Sequence, residues 1–353
     1  MELYYKFAIE LLKALIPIRA YSFEEGARAD FLCSRLASQG VEVRRIGNNI
    51  WAKEVFDAQA PTLMLCAHID TVQAVDSYSF DPVNPPEDPE RILGLGSNDD
   101  GGSVVSMIAT FLYFKERGSC PVNLLLLLSC EEERSGAGGT RSLGDFISAN
   151  ADFAIVGEPT RMRATIAESG LLVIDGCAHG RSAHAARAGE GINAIYKAME
   201  DIQKLKSLRF DKLSPTLGEV KLSVTQINAG TAHNVIPDSC SFVVDIRPNE
   251  CYSNAEILEM LQKEVSSNLV ARDLTNRSSA TPASSPLYKT ALKLGMEMIT
   301  SPTSSDWMRL PIEAIKIGPG DSNRSHKADE YILKSEICEG IETYINYIDN
   351  LEL

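Results

Sequence analysis

The chain of 353 residues is 44% hydrophobic and 23% charged, so it can bury a large core, and at about 100 to 200 residues per domain it is expected to fold as two domains. A formal charge of −14 with no Lys/Arg-rich run argues against nucleic acid or an anionic membrane surface as partner and leaves small solutes and other protein surfaces. No apolar run approaches the roughly 20 residues that cross a bilayer.

The N-terminal "MELYYKFAIELLKALIPIRA" lacks a basic leader region and a small-residue cleavage site, and reads as an amphipathic helix of a cytoplasmic protein. A helix-like run near 24–38 follows. Next come a continuous apolar strand "TLMLCA" (62–67), a helix over 103–117, and two further apolar strands, "VNLLLLLS" (122–129) and "FAIV" (153–156). Between about 170 and 280 the texture changes to strands that alternate apolar and polar, "LLVIDGCA", "VKLSVTQI" and "CSFVVDIR". Two helices, "INAIYKAMEDIQKLKSL" and "NAEILEMLQKEVSS", are interleaved with them. "RDLTNRSSATPASSP" (272–286) has the composition of a surface connection. After it come a helix near 286–299, a strand "AIKI" (314–317) and a helix near 335–350.

Continuous apolar strands interleaved with helices predict an α/β fold with a mostly parallel central sheet flanked by helices. The alternating region predicts an inserted α+β domain. The boundaries are 1–169 and 281–353 for a discontinuous first domain and 170–280 for the insert. Eight scattered cysteines with no C-x-x-C pair fit reduced, buried thiols rather than disulfides or a structural zinc site.

In sheets of this kind, ligands bind beyond the carboxyl ends of the strands. The first apolar strand runs into "AHIDTV", where His68 and Asp70 point to the same side of an extended chain. A metal-binding imidazole commonly donates its second N–H to a carboxylate, which makes His68 a candidate ligand and Asp70 its orienting partner. "GLGSNDDGGSV" (94–104) sets Asp99 and Asp100 among glycines ahead of a helix. Asp99 stands where the dinucleotide pattern needs glycine, and the Gly-Lys-Ser/Thr ending of a P-loop is absent. A solvated turn with an Asp helix cap is the plainer alternative.

The next strand ends in "CEEERSGAGG", the third in "VGEPT" with Glu158, and the fourth leads to "IGPGDSNRSHKADEY" with His326, one of only five histidines. Gathered on one sheet edge, two histidines and three or more carboxylates without thiolates suit two divalent ions, zinc first, with cobalt and manganese as alternatives, if one carboxylate bridges.

These blocks, in the order "AHIDTV", "GSNDDGG", "CEEERSGAGG", "VGEPT", "HGRSAHAA", "AHNVIPD", "DIRP" and "SHKADEY", resemble an M20-type metallopeptidase family. That family includes acetylornithine deacetylase, succinyl-diaminopimelate desuccinylase, aminoacylase and co-catalytic zinc carboxypeptidases. The resemblance implies His68, Asp99 and Glu158 around one metal and Asp99, Glu133 and His326 around the other, with Asp99 bridging and a cis Asp99–Asp100 peptide. The run Glu131–Glu132–Glu133 admits more than one register. The following "RSGAGG" aligns best with Glu132 as general base and Glu133 as ligand, with Glu131 in place of the usual Asp. Leu95 and Gly101 depart from the Arg and Lys common in the family.

The insert resembles the family's dimerisation and lid domain. In it, His184 matches an oxyanion-stabilising histidine donated by the neighbouring subunit, and Asn234 and Arg247 match substrate-contacting positions, Arg247 as a clamp for a carboxylate. His179 and His233 match nothing.

The implied activity is hydrolysis of an amide. Glu132 takes a proton from the attacking water and returns it to the leaving amine, with catalytic support from Asp70 and His184. "VGEPT", "NVIPD", the modest length and the acidic chain most resemble the acetylornithine deacetylase and succinyl-diaminopimelate desuccinylase branch. That resemblance implies an N-acyl amino acid of arginine biosynthesis, such as N-acetylornithine, N-acetylcitrulline or an N-succinyl relative, cut by a cytoplasmic homodimer. The alternatives are a succinyl-diaminopimelate desuccinylase, a di- or tripeptidase or carboxypeptidase, and, in another class, a non-catalytic metal-dependent binding protein.

Overall fold

The computed structural model describes residues 1–353. The chain divides into two compact units: Met1–Ile166, Thr281–Ile299 and Ser305–Leu353 form one, and Ala167–Ala280 with Thr300–Ser304 forms the other.

The first unit is built on a sheet whose middle strands, Asn123–Ser129, Thr62–His68, Phe153–Val156 and Glu313–Lys316, are mutually parallel. Thr62–His68 and Asn123–Ser129 are buried at every position, as unbroken apolar runs between two layers of helix require. Their side chains alternate between two cores. Leu63, Leu65, Leu124 and Leu126 pack with Leu11 and Leu12 of the helix Glu2–Leu15, Val105 and Ile108 of Gly101–Arg117, and Ile337 and Ile341 of Lys334–Asp349. Met64, Cys66, Leu125 and Leu127 face Leu143, Ile147, Trp307 and Leu310. The sheet as a whole is mixed rather than mostly parallel. The hairpin Val43–Ile46 and Asn49–Glu54 adds antiparallel strands beside Asn123–Ser129, and Ala164–Glu168 pairs antiparallel with Glu313–Lys316.

Three expectations are corrected. The helix placed near 286–299 stops at Lys293, because Gly295 takes a left-handed φ of 65°, and Met298–Ser301 is a strand. The connection 272–286 is not simply surface, since Asn276, Ser279, Thr281 and Ser285 are buried and Thr281 Oγ1 donates to the carbonyl of Ala314 at 2.7 Å. Of the eight free cysteines, only Cys66, Cys130 and Cys240 are buried, the rest being half-buried.

The second unit carries an antiparallel sheet in the order Lys221–Ala229, Ser239–Arg247, Leu172–His179, Asn268–Ala271. Its inward residues, Leu172, Ile174, Phe242, Val244 and Ile246, pack with Ala194, Ala198 and Leu205 of the helix Ala194–Ser207 and with Ile257 and Leu261 of Asn254–Glu264. No helix of the chain is long and apolar enough to cross a membrane.

Candidate metal centre

Four chain segments leave the carboxyl ends of the parallel strands and carry the candidate ligands. His68 is the last residue of its strand, Glu131–Glu133 follow Asn123–Ser129, Glu158 follows Phe153–Val156, and His326 lies in the loop after Glu313–Lys316. The fifth, Asp99, sits in the turn before the helix Gly101–Arg117.

Asp99 offers one carboxylate oxygen to each histidine. His68 Nε2 is 3.3 Å from Asp99 Oδ1, and His326 Nε2 is 3.7 Å from Asp99 Oδ2. His326 Nε2 also stands 3.0 and 2.9 Å from the two carboxylate oxygens of Glu133. One ligand atom each of His68, Asp99 and Glu133 lie within 4.8 Å of one another, and so do those of His68, Glu132 and Glu158. Neither grouping is one of the expected sets: the first joins His68 and Asp99 to Glu133 rather than to Glu158, and in the second Glu132 rather than Asp99 stands beside His68 and Glu158. The Asp99–Asp100 peptide is cis. Asp100 makes no side-chain cap on its helix, so the plainer capping alternative is not realised. Its Oδ2 instead accepts the N–H of His68 at 3.3 Å.

Asp70 fixes two things at once. His68 Nδ1 lies 3.1 Å from the main-chain oxygen of Asp70 and 3.4 Å from Oδ1, which leaves Nε2 to face the cluster. The same carboxylate accepts the N–H groups of Glu132 at 3.0 Å and Glu133 at 3.1 Å and the Ser22 hydroxyl at 2.7 Å, so it also sets the course of the acidic run.

Glu131 is turned elsewhere. At φ 59° its carboxylate accepts the N–H of Gly138 at 2.7 Å, and its own N–H donates to the buried Glu25 at 3.1 Å. Gly136 lets the chain close on this side chain, since a Cβ there would lie 2.5 Å from Glu131 Cβ. The "SGAGG" segment is therefore the cradle of Glu131, and only Glu132 and Glu133 are left to enter the cluster.

Burial, reinforced by repulsion from Glu158, Asp306 and Glu133, pushes Glu132 well above the usual carboxylate range. Burial and Asp99 do the same to Glu158, and burial raises Glu133. Burial also works against the charged form of His68, but hydrogen bonds to Asp70 and Asp99 outweigh it and hold the imidazole well above its ordinary value. Carboxylates packed this closely are short of positive charge. Imidazole and carboxylate donors without a thiolate match the preferences of zinc, cobalt and manganese, so the residues fit divalent cations.

Three supporting residues carry no signal in the sequence reading. Asp306, buried, accepts the hydroxyls of Ser129 at 2.6 Å and Thr140 at 2.5 Å. Arg28, also buried, donates to the carbonyl of Ile69, between His68 and Asp70, at 2.9 Å, and to Ile18 at 2.8 Å. Glu330 accepts main-chain N–H groups around Asp99. Of these, only Glu330 lies inside a motif singled out in the sequence.

His184, Asn234 and Arg247 belong to the second unit. His184 pairs with Val235 across a short antiparallel ladder, and the N–H of Ala185 donates to the carbonyl of Asn234 at 2.9 Å. His184 Nδ1 accepts the N–H of Ala186 at 3.1 Å, so the neutral ring carries its proton on Nε2. Arg247 gives Nε and Nη2 to Asp245 of its own strand at 2.8 and 3.1 Å, so Asp245 occupies the side-on face of its fork and does not engage Nη1.

Residues 166–273 match the M20 peptidase dimerisation domain, and residues 49–157 match peptidase family M28. An M20-peptidase-domain-containing protein of Schizosaccharomyces pombe is 27% identical over 350 residues, covering 95% of this chain and 82% of its own length. A putative succinyl-diaminopimelate desuccinylase of Mycobacterium tuberculosis is 29% identical over 359 residues, covering 96% and 97%. An acetylornithine deacetylase of Myxococcus xanthus is 28% identical over 300 residues, covering 79% and 78%.

The chain is similar to M20 peptidases over nearly its whole length. The fold agrees. Aminopeptidase PepT from Bacillus cereus superposes with a TM-score of 0.78 at 18% identity, covering 98% of both chains. A Bacillus subtilis protein described as a dinuclear metal binding peptidase of the M20 family superposes at 0.75 with 14% identity, covering 99% of this chain and 98% of that one. The protein thus has an α/β fold with a mixed central sheet, and a segment that matches a peptidase dimerisation domain.

Proposed function

We propose that the protein is a two-cation amidohydrolase that removes the acyl group from an N-acyl amino acid. The observation that carries this reading is Asp99, whose two oxygens face His68 and His326 separately, with Glu132 grouped beside His68 and Glu158. His68, Asp99, Glu133, Glu158 and His326 would hold the ions, zinc first, with cobalt or manganese as alternatives. Bound there, the cations supply Lewis acidity toward the amide carbonyl and acidify the attacking water.

Glu132 carries the proton. A carboxyl raised by burial holds a proton more readily than a solvated one, so it can accept one from water at Oε and return it to the leaving nitrogen. Asp70 keeps the His68 tautomer and the Glu132 main chain in place. For His184, resemblance and its Nε2 proton support donation to the developing oxyanion. Asn234 and Arg247 are proposed to contact substrate, Arg247 through the end-on Nη1/Nη2 face or by exchanging Asp245 for a substrate carboxylate. The dimerisation domain supports a homodimer.

Two of the named relatives, a desuccinylase and a deacetylase, support an acyl group on an amino-acid nitrogen. We place the substrate among N-acetylornithine, N-acetylcitrulline and their N-succinyl relatives, in arginine biosynthesis. The test is a panel of acetyl and succinyl ornithine, citrulline, lysine and diaminopimelate, with di- and tripeptides, against zinc- or cobalt-loaded protein, scoring release of free amine. Turnover confined to an acylated amino acid is expected. Preference for succinyl-diaminopimelate or for peptides would move the substrate, and cation binding with no turnover on any member would make this a binding protein.

A further inference from the structure

Glu330 lies four residues beyond His326 and is 2% exposed. Its main-chain carbonyl accepts the N–H of Gly94 at 2.9 Å. Its Oε2 accepts that of Gly96 at 2.9 Å, and its Oε1 accepts those of Asn98 and Asp99, each at 2.9 Å. One residue thus gathers four donors from the turn that presents Asp99.

Asn98 closes the join from the other side. Its Nδ2 donates to the Asp321 carbonyl at 3.1 Å and to Ser325 Oγ at 3.3 Å, while its Oδ1 accepts the N–H of Asp321 at 2.8 Å. Gly320 permits this approach, since a Cβ there would lie 2.5 Å from Asn98 Oδ1. Without such ties the turn would be permissive, because Gly94 and Gly96 both sit at positive φ, 126° and 73°. Ligands for a cation have to be held to within about 0.5 Å by the residues behind them.

We propose that Glu330 is a positioning residue that fastens the Asp99 turn to the His326 loop, so that Asp99 Oδ2 and His326 are presented together to one cation. The inference rests on the reading of Asp99 and His326 as ligands. Glu330 acts through the main chain of Asp99 and touches neither substrate nor reacting atoms. A glutamine in its place keeps one acceptor oxygen but turns an NH₂ donor toward at least one of the same N–H groups.

The test uses the full chain, stripped with a chelator and titrated with cobalt, read by calorimetry and by the visible spectrum of bound cobalt. Amide hydrogen exchange is measured on the stripped protein. Wild type is expected to take up two equivalents. Glu330→Gln should bind one equivalent within about threefold of wild type and the other about 10–100-fold more weakly, the scale of losing a residue that orients a ligand. His326→Ala, as the reference, should weaken the same equivalent. In stripped Glu330→Gln, the amides of Gly96, Asn98 and Asp99 should exchange faster while those of the central strands do not change.

Faster exchange with both cobalt affinities intact would make Glu330 purely structural and overturn the inference while leaving the two-cation reading standing. Wild-type protein that takes up no cobalt overturns that reading and this inference with it. If Glu330→Gln does not fold, Asn98→Ala cuts the opposite side of the join and must weaken the same equivalent; unchanged affinity there is equally decisive against the proposal.

Discussion

Glu131, Glu132 and Glu133 are the same side chain three times in succession, and their surroundings give them three different tasks. Glu131 is spent on the N–H of Gly138, Glu133 meets His326, and Glu132 stands with His68 and Glu158. Glu132→Gln is therefore expected to cut turnover at least about a hundredfold, the scale of general-base catalysis, with cation uptake preserved. Glu131→Gln keeps an acceptor for Gly138 and should leave turnover within a few-fold of wild type. Steady-state rates with metal content measured on the same samples check both, and the reverse pattern would shift the register by one. His184→Ala should lower kcat by about 10²–10³, the cost of losing one oxyanion donor, while cation content stays at the wild-type level. A kcat within a few-fold of wild type would leave His184 with only its contact to Ala186.

At the scale of elements, legibility follows how a residue finds its partners. Thr62–His68 and Asn123–Ser129 were readable because an unbroken apolar run has one stable home, the middle of a sheet covered on both faces. Val43–Ile46 and Asn49–Glu54 were not, since "VRRI" lies at an exposed sheet edge and mixes charge with apolar residues. Asn268–Ala271 is four residues long and shows no period. His68, Glu158 and His326 could be grouped from the sequence because each follows a readable strand. Arg28, Asp306 and Glu330 could not, because hydroxyls and main-chain groups satisfy them and leave no pattern of residue types.

The turn before the helix Gly101–Arg117 offers an element-scale test. A Cβ on Gly101 would lie 2.3 Å from the Gly96 carbonyl oxygen and 2.6 Å from Leu12 Cδ1. The first contact is with main chain, so the turn rather than a side chain has to move. Gly101→Ala should destabilise by about 1–3 kcal/mol in denaturant unfolding, as overpacking does, and weaken cobalt binding through Asp99. In the second unit, Arg247→Met should raise KM for N-acyl amino acids more than for their α-amides if its fork clamps the substrate carboxylate. Equal changes would confine Arg247 to its strand.

Across the whole molecule, the acidic cluster couples stability to pH. Burial raises Glu132 and Glu158 well above the usual range, raises Glu133, and lifts Asp100 to about 8 and Glu330 to about 7. His326, held by Glu133, is raised to about 9, and His68 lies well above its ordinary value. For all of these the folded state keeps a proton that the unfolded state has released. Their favourable contribution is complete below the unfolded pKa values and is lost as pH rises through the folded ones. Asp70 and Asp99 are shifted the other way, so their contribution is lost only in strong acid, below the ordinary aspartate range. Between pH 5.5 and 8.5, then, the chelator-stripped protein should become less stable as pH rises. Self-repulsion from a formal charge of −14 acts in the same direction, so a fall alone does not identify the cluster. Cations separate the two effects. Bound to deprotonated ligands, they replace the protons, so the loaded protein should show a much flatter dependence of Tm on pH and gain more from cation at pH 8.5 than at pH 5.5. Glu132→Gln removes one of the raised carboxyls and should flatten the stripped protein's slope in the same sense. Calorimetric Tm values for stripped and loaded wild type and for stripped Glu132→Gln decide it, and equal slopes in all three would assign the pH dependence to net charge rather than to the cluster around Asp99.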